Sequence, residues 1–132
     1  MEEIRALIVD DSARMREAIK DVLRTVAACK VVGEGVNGLE SLEMARTLHP
    51  DLIVLDINMP IMGGMEALRL LRSEFPRTNV VMVTSILDPE VRDRALTLGA
   101  VACLEKGGEM WDGLRAVVQG ISERLLGRSA CT

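Results

Sequence analysis

Five short runs of apolar residues alternate along the chain with segments in which apolar residues recur every three or four positions. Uninterrupted apolar runs of this length, bounded by glycine, proline or acidic residues, are typical of buried strands. The predicted strands cover residues 4–9, 30–35, 52–55, 79–84 and 101–104. Each is followed by a segment with helical periodicity, so the pattern predicts five βα units in strict alternation.

The predicted helices carry recognisable start and stop signals. Ser12 and Asp88 are suitable capping residues for the first and fourth helices, and Pro89 suits the first position of the fourth. Gly99 closes that helix as a residue in the left-handed conformation would. The apolar stripe of the last helix consists of Met110, Leu114, Val117, Val118, Ile121 and Leu125.

The connections between these units determine the predicted architecture. Crossovers between parallel strands are right-handed, so the helices cover both faces of one sheet. The length of 132 residues is that of one domain. We find no internal repeat or linker and assign residues 1–127 to one folded domain and residues 128–132 to a C-terminal tail.

Composition narrows the class of partner and the compartment. The chain has 20 acidic and 16 basic residues, a net charge of −4, which disfavours nucleic acid or an anionic membrane as its main partner. No apolar run approaches the length of a membrane span, and no signal peptide begins the chain, so we expect a cytoplasmic protein. Three widely spaced cysteines, Cys29, Cys103 and Cys131, indicate neither a disulfide framework nor a zinc site.

Three acidic residues stand directly after predicted strands. Asp10 and Asp11 follow the run 4–9, and Asp56 follows the run 52–55. The carboxyl ends of parallel strands share one edge of the sheet, where ligands bind in open α/β folds. Carboxylates gathered there repel one another unless a proton or a cation joins them. Oxygen ligands of this kind suit Mg²⁺, which we predict as the cofactor.

Several short motifs, taken in order, resemble those of bacterial response-regulator receiver domains. The resemblance covers essentially the whole chain and implies a flavodoxin-like, doubly wound (βα)5 sandwich with a five-stranded parallel sheet of order 2-1-3-4-5. The motifs are Asp10-Asp11, residues 55–64 (Leu-Asp-Ile-Asn-Met-Pro-Ile-Met-Gly-Gly), Thr84-Ser85 and Leu104-Glu105-Lys106.

The resemblance also implies a role for each site residue. Asp56 would accept a phosphoryl group from a sensor histidine kinase, a phosphotransfer protein or a small phosphodonor. Mg²⁺ would be bound by Asp11, Asp56 and the backbone carbonyl of Asn58, while Asp10 would act through a bound water. The reaction fits the residues, because phosphoryl transfer needs a nucleophile and cations that neutralise the developing charge.

Two further polar residues would respond to the phosphoryl group. Lys106 would pair with Asp56 before transfer and with a phosphate oxygen afterwards, and Thr84 would donate its hydroxyl to the phosphate. The resemblance implies a phosphoacceptor with self-phosphorylation and slow self-dephosphorylation rather than an enzyme. It also implies a homodimer or output partner at the surface formed by the fourth helix, the fifth strand and the fifth helix.

The chain departs from the receiver pattern at two positions. Many receivers have proline after the active-site lysine, whereas Gly107 and Gly108 follow Lys106 here, so we expect a trans peptide bond at this point. Cys103 stands where most members have an aromatic residue that reports activation. We therefore expect the signal to travel mainly through residues 84–88.

Two other functions stay open on the sequence alone. The first is a phosphorylation-independent, receiver-like adaptor, which the Cys103 and Gly107 departures would suit. The second is a phosphatase of the haloacid dehalogenase type, which also uses an aspartate at a strand end. That family has a second acid two residues after the nucleophile, where this chain has Asn58.

Overall fold

The structure is a computed structural model and describes residues 2–127. The predicted tail at 128–132 lies outside the described residues. Strands and helices alternate strictly, as the hydrophobic pattern predicts. They are β1 (Ile4–Val9), α1 (Ala13–Leu23), β2 (Cys29–Gly35), α2 (Gly38–Leu48), β3 (Leu52–Asp56), α3 (Gly64–Glu74), β4 (Asn79–Thr84), α4 (Pro89–Thr97), β5 (Ala102–Glu105) and α5 (Met110–Leu126).

The five strands form one parallel sheet in the order β2-β1-β3-β4-β5, which confirms the predicted topology. All five residues of the central strand β3 are buried. A parallel sheet covered on both faces requires apolar side chains on both sides of its inner strands. This explains why the inner strands read as continuous apolar runs rather than as alternating patterns.

The core consists of two apolar layers, one on each face of the sheet. Alternate residues of β1 enter different layers: Ile8 lies in the layer that contains α1 and α5, whereas Leu7 and Val9 lie in the layer that contains α2, α3 and α4. Successive side chains of a strand point to opposite faces, so one strand supplies both layers. The two layers thus cover both faces of the sheet that carries the carboxyl edge.

Local signals at helix ends act as predicted. The Ser12 hydroxyl accepts a hydrogen bond from the backbone N–H of Met15 (3.2 Å), and the Asp88 carboxylate accepts one from Val91 (2.8 Å). Gly99 follows α4 with a φ of +105°. A side chain there would lie 2.7 Å from Nε of Arg72, so both backbone conformation and space favour glycine.

Some element boundaries differ from the predicted ones. β5 begins at Ala102, one residue later than the apolar run suggests, and Val101 is 41% exposed. In α5, Leu125 is exposed, and Leu126 packs against the core instead. The end of α5 packs beside the loop that follows α1, where the Ser122 hydroxyl donates to the carbonyl of Ala27 (3.4 Å). Contacts with a loop that is distant along the chain therefore decide which face of the last turn is buried.

Within residues 2–127, no helix combines the length and apolar character needed to cross a membrane.

Candidate functional site

The polar residues predicted for the site meet at the carboxyl edge of the sheet. Asp10 follows β1, while Asp56 and Thr84 are the last residues of β3 and β4. Lys106 directly follows β5. Carboxylate oxygens of Asp10, Asp11 and Asp56 all lie within 4.8 Å of one another. The parallel arrangement of the strands thus brings residues that are distant along the chain into one acidic cluster.

Two of these carboxylates are buried and one is exposed. Asp10 and Asp56 have exposed fractions of 0% and 2%, whereas Asp11 faces solvent. Oδ1 of Asp10 accepts a hydrogen bond from the backbone N–H of Ser12 (2.9 Å). Oδ2 of Asp10 and Oδ1 of Asp56 have no hydrogen bond of good geometry within the part of the chain described. Burial of such oxygens is costly, so the cluster has unused capacity for a ligand.

Lys106 contacts both buried carboxylates. Its Nζ lies 2.9 Å from Oδ2 of Asp10 and 3.2 Å from Oδ1 of Asp56. The sequence-based prediction paired Lys106 with Asp56, and the structure adds Asp10 as a second and nearer partner. One ammonium group therefore stands against two buried negative charges, which leaves the buried trio with a net negative charge.

Charge and burial shift the pKa values of this cluster. Burial raises the pKa of Asp56, and the charge of Asp10 raises it further against the opposing effect of Lys106. Burial by itself lowers the pKa of Lys106, but its direct ion-pair contact with Asp10 and the nearby carboxylate charges outweigh it, so this pKa is raised overall. Lys106 thus stays protonated beside the two acids.

The donor set fits a hard divalent cation. Two buried carboxylates, each with one oxygen that lacks a hydrogen bond of good geometry, and one exposed carboxylate offer oxygen atoms within 4.8 Å of one another. Mg²⁺ is commonly held by one or two carboxylates while it keeps several water molecules, and an exposed side of the site leaves room for them. The residues present are therefore compatible with the predicted Mg²⁺ cofactor.

The start of α3 approaches the site so closely that it requires glycine. A side chain at Gly64 would overlap the carbonyl oxygen of Asp56. The backbone N–H of Gly64 donates to the carbonyl of Ile57 (2.7 Å), which closes the loop over the end of β3. The Gly63-Gly64 pair of the sequence motif thus serves to hold the loop tightly around Asp56.

Thr84 points its hydroxyl at its own loop. The buried side chain donates to the carbonyl of Ile86 (3.1 Å) and accepts from the N–H of the same residue (3.3 Å). The next N–H, of Leu87, donates to the carboxylate of Glu105 (2.7 Å). Sequence reasoning included Glu105 in the motif with Lys106 but missed its contact with this loop.

Arg16 is a residue that sequence reasoning missed. Its guanidinium donates to the backbone carbonyl of Asp10 (2.8 Å) and to the Glu34 carboxylate (3.2 Å). The only sequence signal was its position one helical turn after Ser12, which places it on the face of α1 that can reach the end of β1.

Comparison with known proteins identifies the family. The family model of the response regulator receiver domain matches residues 6–118. This chain is a response regulator receiver domain. Receiver domains of this family interact with histidine kinases or phosphotransfer proteins and bind Mg²⁺ at an acidic pocket.

Similar proteins include enzymes and regulators. A protein-glutamate methylesterase/protein-glutamine glutaminase of Thermotoga maritima is 44% identical over 105 residues, which are 78% of this chain and 30% of that protein. The response regulator GacA of Pseudomonas viridiflava is 39% identical over 118 residues, 89% of this chain and 53% of that one. The chain spans only 28% to 37% of the length of the methylesterase relatives it matches, so the activity in their names is a property of those longer proteins.

Solved structures agree with this assignment. The response regulator domain of Thermotoga maritima CheB superposes with a TM-score of 0.79 at 37% identity, covering 90% of this chain and 93% of that one. The signal receiver domain of the response regulator NarL from Mycobacterium tuberculosis gives a TM-score of 0.82 at 29% identity, covering 92% and 98%.

The two departures from the receiver pattern lie next to each other in the structure. The Lys106–Gly107 peptide is trans, as predicted. Cys103 is buried on β5, and burial raises the pKa of its thiol. An open cleft of about 520 Å³ lies beside it, with Leu87, Arg92 and Met110 among its walls. This receiver therefore has a cleft, rather than an aromatic ring, between the start of α4 and β5.

Proposed function

We propose that this receiver domain, comprising residues 1–127, is a switch controlled by Mg²⁺-dependent phosphorylation of Asp56. The observation that carries the proposal is the state of the Asp56 carboxylate. It is buried, its Oδ1 has no hydrogen bond of good geometry to any residue in 2–127, and the same atom lies 3.2 Å from the ammonium group of Lys106. A carboxylate poised beside a cation and two further acids has the surroundings that phosphoryl transfer requires.

In the proposed reaction, a carboxylate oxygen of Asp56 attacks the phosphorus of a phosphohistidine or of a small acyl phosphate. A new P–O bond forms on Asp56. The bond from phosphorus to the imidazole or carboxylate breaks, and this leaving group departs with the electron pair. Lys106 is already in contact with Oδ1 of Asp56, so it stabilises the charge on the incoming phosphoryl oxygens. The donor is a sensor histidine kinase or a phosphotransfer protein.

The metal-binding residues in this proposal are Asp11, Asp56 and the backbone carbonyl of Asn58, with Asp10 acting through water. Bound Mg²⁺ supplies charge neutralisation on the phosphoryl oxygens. Asp10 has a second task, because its Oδ2 lies 2.9 Å from Nζ of Lys106 and thereby holds the lysine at the site. The exposed Asp11 is the carboxylate most accessible to a hydrated ion.

The signal leaves the site through Thr84 in this proposal. Its hydroxyl exchanges the carbonyl of Ile86 for a phosphoryl oxygen, and the loop from residue 84 to residue 88 moves with it. That loop joins β4 to α4, so its movement changes the surface formed by α4, β5 and α5. We propose this surface as the contact for a second copy of the chain or an output partner.

Labelling with acetyl phosphate and Mg²⁺ tests the proposal. We expect the intact mass of the wild-type protein to rise by one phosphoryl group and that of Asp56→Asn to stay unchanged. Asp51→Asn is the matched control, because it makes the same substitution at the opposite end of β3 and should still be labelled. Labelling of Asp56→Asn to the wild-type extent, or no labelling of the wild type, would contradict the proposal. Rapid multiple turnover of a small phosphate ester would instead indicate a phosphatase.

A further inference from the structure

Arg16 takes no part in the proposed chemistry, yet it contacts the backbone of the acidic cluster. It lies on α1, and its side chain is only 17% exposed. Nη1 donates a hydrogen bond of 2.8 Å to the backbone carbonyl of Asp10, while Nε donates one of 3.2 Å to the carboxylate of Glu34. The guanidinium is a planar fork with fixed donor directions, so it loses less entropy per hydrogen bond than a lysine would.

The partner Glu34 is itself anchored. It lies in β2 next to Ile8 of β1, and its second oxygen is 2.8 Å from Nζ of Lys20. The hydrogen bond with Lys20 is the main cause that lowers the pKa of Glu34, so this carboxylate stays ionised at neutral pH. The guanidinium of Arg16 is therefore fixed in place by α1 and β2 together.

The peptide groups around Asp10 are held from two sides. The N–H of Asp10, directly after β1, donates to the carbonyl of Gly35 at the end of β2 (3.1 Å). The carbonyl of Asp10 accepts from Arg16. That carbonyl belongs to the peptide plane that continues into Asp11. Asp11 is exposed, so its backbone conformation, rather than packing around its side chain, determines the direction of its carboxylate.

We infer that Arg16 is a positioning residue for the metal site: through the carbonyl of Asp10 it sets the direction in which Asp11 presents its carboxylate. This inference rests on the proposed assignment of Asp11 as a metal ligand. Residues that orient ligands from outside the first coordination sphere typically contribute about 10-fold to 100-fold to metal affinity. Arg16 acts through a backbone group, so we expect an effect near the lower end.

The sign of the effect separates positioning from simple charge. Removing a positive charge near an acidic cluster makes the cluster more negative, which by itself strengthens Mg²⁺ binding. The loss of a positioning contact weakens binding instead. Arg14 is the matched control, because it is an exposed arginine on the same helix, two residues before Arg16, and its removal changes the net charge equally.

The experiment titrates Mg²⁺ into wild-type protein, Arg16→Ala, Arg16→Lys and Arg14→Ala, with affinity measured by calorimetry and the Asp11 amide followed by NMR. We expect about tenfold weaker binding for both Arg16 variants and a shifted Asp11 amide in the metal-free state. Arg14→Ala should bind as tightly as wild type or tighter. Arg16→Lys keeps the charge but loses the forked geometry, so its weaker binding would exclude a purely electrostatic role.

Wild-type affinity and an unchanged Asp11 amide in Arg16→Lys would overturn the inference, and so would a wild-type protein that binds no Mg²⁺. Glu34→Gln provides a second variant if Arg16→Ala fails to fold, because it keeps Arg16 and weakens the contacts of residue 34 with Arg16 and Lys20. We expect about twofold to threefold weaker Mg²⁺ binding for it, and unchanged binding would count against the inference. None of these measurements uses a phosphodonor. Failure of Asp56 labelling with an intact Arg16 effect would therefore refute the proposed function alone.

Discussion

The two ends of the sheet use the same kind of residue for opposite purposes. At the amino end, Asp51 precedes β3, and its carboxylate accepts a hydrogen bond from the N–H of Arg5 (2.8 Å). The N–H of Asp51 donates to the carbonyl of Arg5 (2.8 Å), and its own carbonyl accepts from the N–H of Asn79 (3.0 Å). The Arg5 guanidinium donates to the carbonyl of Leu48 (2.8 Å). Each of the polar groups named here has a hydrogen-bond partner.

At the carboxyl end, Asp10 and Asp56 are more deeply buried but less well paired. Two of their oxygens have no hydrogen bond of good geometry within residues 2–127, and both face the single ammonium group of Lys106. We interpret this difference as one of purpose: the hydrogen bonds at the amino end stabilise the fold, whereas the crowded carboxylates at the carboxyl end lower stability where the proposed ligand site lies. Proteins commonly break the rules of good packing where they act.

Addition of Mg²⁺ should produce the largest change, because we propose that the ion binds at the carboxyl end and offsets the repulsion between its buried carboxylates. A ligand that binds only the folded state stabilises it by about 2.7 kcal/mol at about 100 times its Kd. We expect this gain in urea unfolding of the wild type and of Asp51→Asn. Asp11→Ala should lose more of it than Asp10→Ala does, and an undiminished gain in Asp11→Ala would remove Asp11 from the metal site.

Asp56→Asn should stabilise the metal-free protein. The substitution removes one of two like charges that share a buried site and leaves Lys106 paired with Asp10. Replacing a poorly compensated buried charge by a neutral group of similar shape is expected to raise the free energy of unfolding by about 1 to 2 kcal/mol. Urea unfolding in the presence of a chelator measures it. If Asp56→Asn were no more stable than the wild type, repulsion between the buried carboxylates would not reduce the free energy of unfolding.

Asp51→Asn, the same substitution at the other end, should have the opposite sign. An asparagine oxygen still accepts from Arg5, but the hydrogen bond loses its charge. Hydrogen bonds to charged groups contribute more than neutral ones, so we expect a loss of about 1 kcal/mol. The same urea titration serves as the measurement. If Asp51→Asn and Asp56→Asn changed the free energy of unfolding in the same direction, the proposed contrast between the two edges of the sheet would be wrong.

The pH dependence of the free energy of unfolding should identify Asp56 as the group whose ionisation destabilises the folded protein. Burial raises its pKa in the folded state above the usual 3.8, so between these two pKa values the folded protein binds more protons than the unfolded chain does. Stability then falls as pH rises through this window and stays reduced above it. The advantage of metal-free Asp56→Asn over wild type should therefore grow with pH and then level off. If the difference in free energy of unfolding between Asp56→Asn and wild type did not depend on pH, ionisation of Asp56 would not be its cause.

The smallest effect concerns the cleft beside Cys103. The coupling free energy between two sites of a protein is typically about 1 to 3 kcal/mol. Because β5 carries no aromatic side chain, we expect the coupling between the Asp56 site and the surface of α4, β5 and α5 to lie near the lower end. Beryllofluoride with Mg²⁺ should shift self-association through α4, β5 and α5 only modestly, and Cys103→Tyr should enlarge the shift. Cys103→Ser is the control that adds no ring. A hundredfold coupling in the wild type, unchanged in Cys103→Tyr, would contradict this account.

Local chemistry explains why much of the fold was predictable. The Ser12 and Asp88 caps bond to a backbone N–H three residues further on, so they can be recognised in the sequence without knowledge of distant contacts. The strands are buried on both faces, which makes them continuous apolar runs that stand out from the helical pattern. The least certain points were element ends such as Val101 and Leu125, where exposure depends on neighbours far along the chain.

The sequence by itself determined the alternation of strands and helices, and it located the acidic, hydroxyl and lysine residues at strand ends. Only the tertiary structure decided how these residues share their contacts: Lys106 lies between Asp10 and Asp56, Thr84 turns to its own loop, and Arg16 holds the carbonyl of Asp10. The physical reason is that a strand end fixes where a side chain begins. Its partner is chosen by distances between separate elements, which depend on the packing of the whole sheet and its helices.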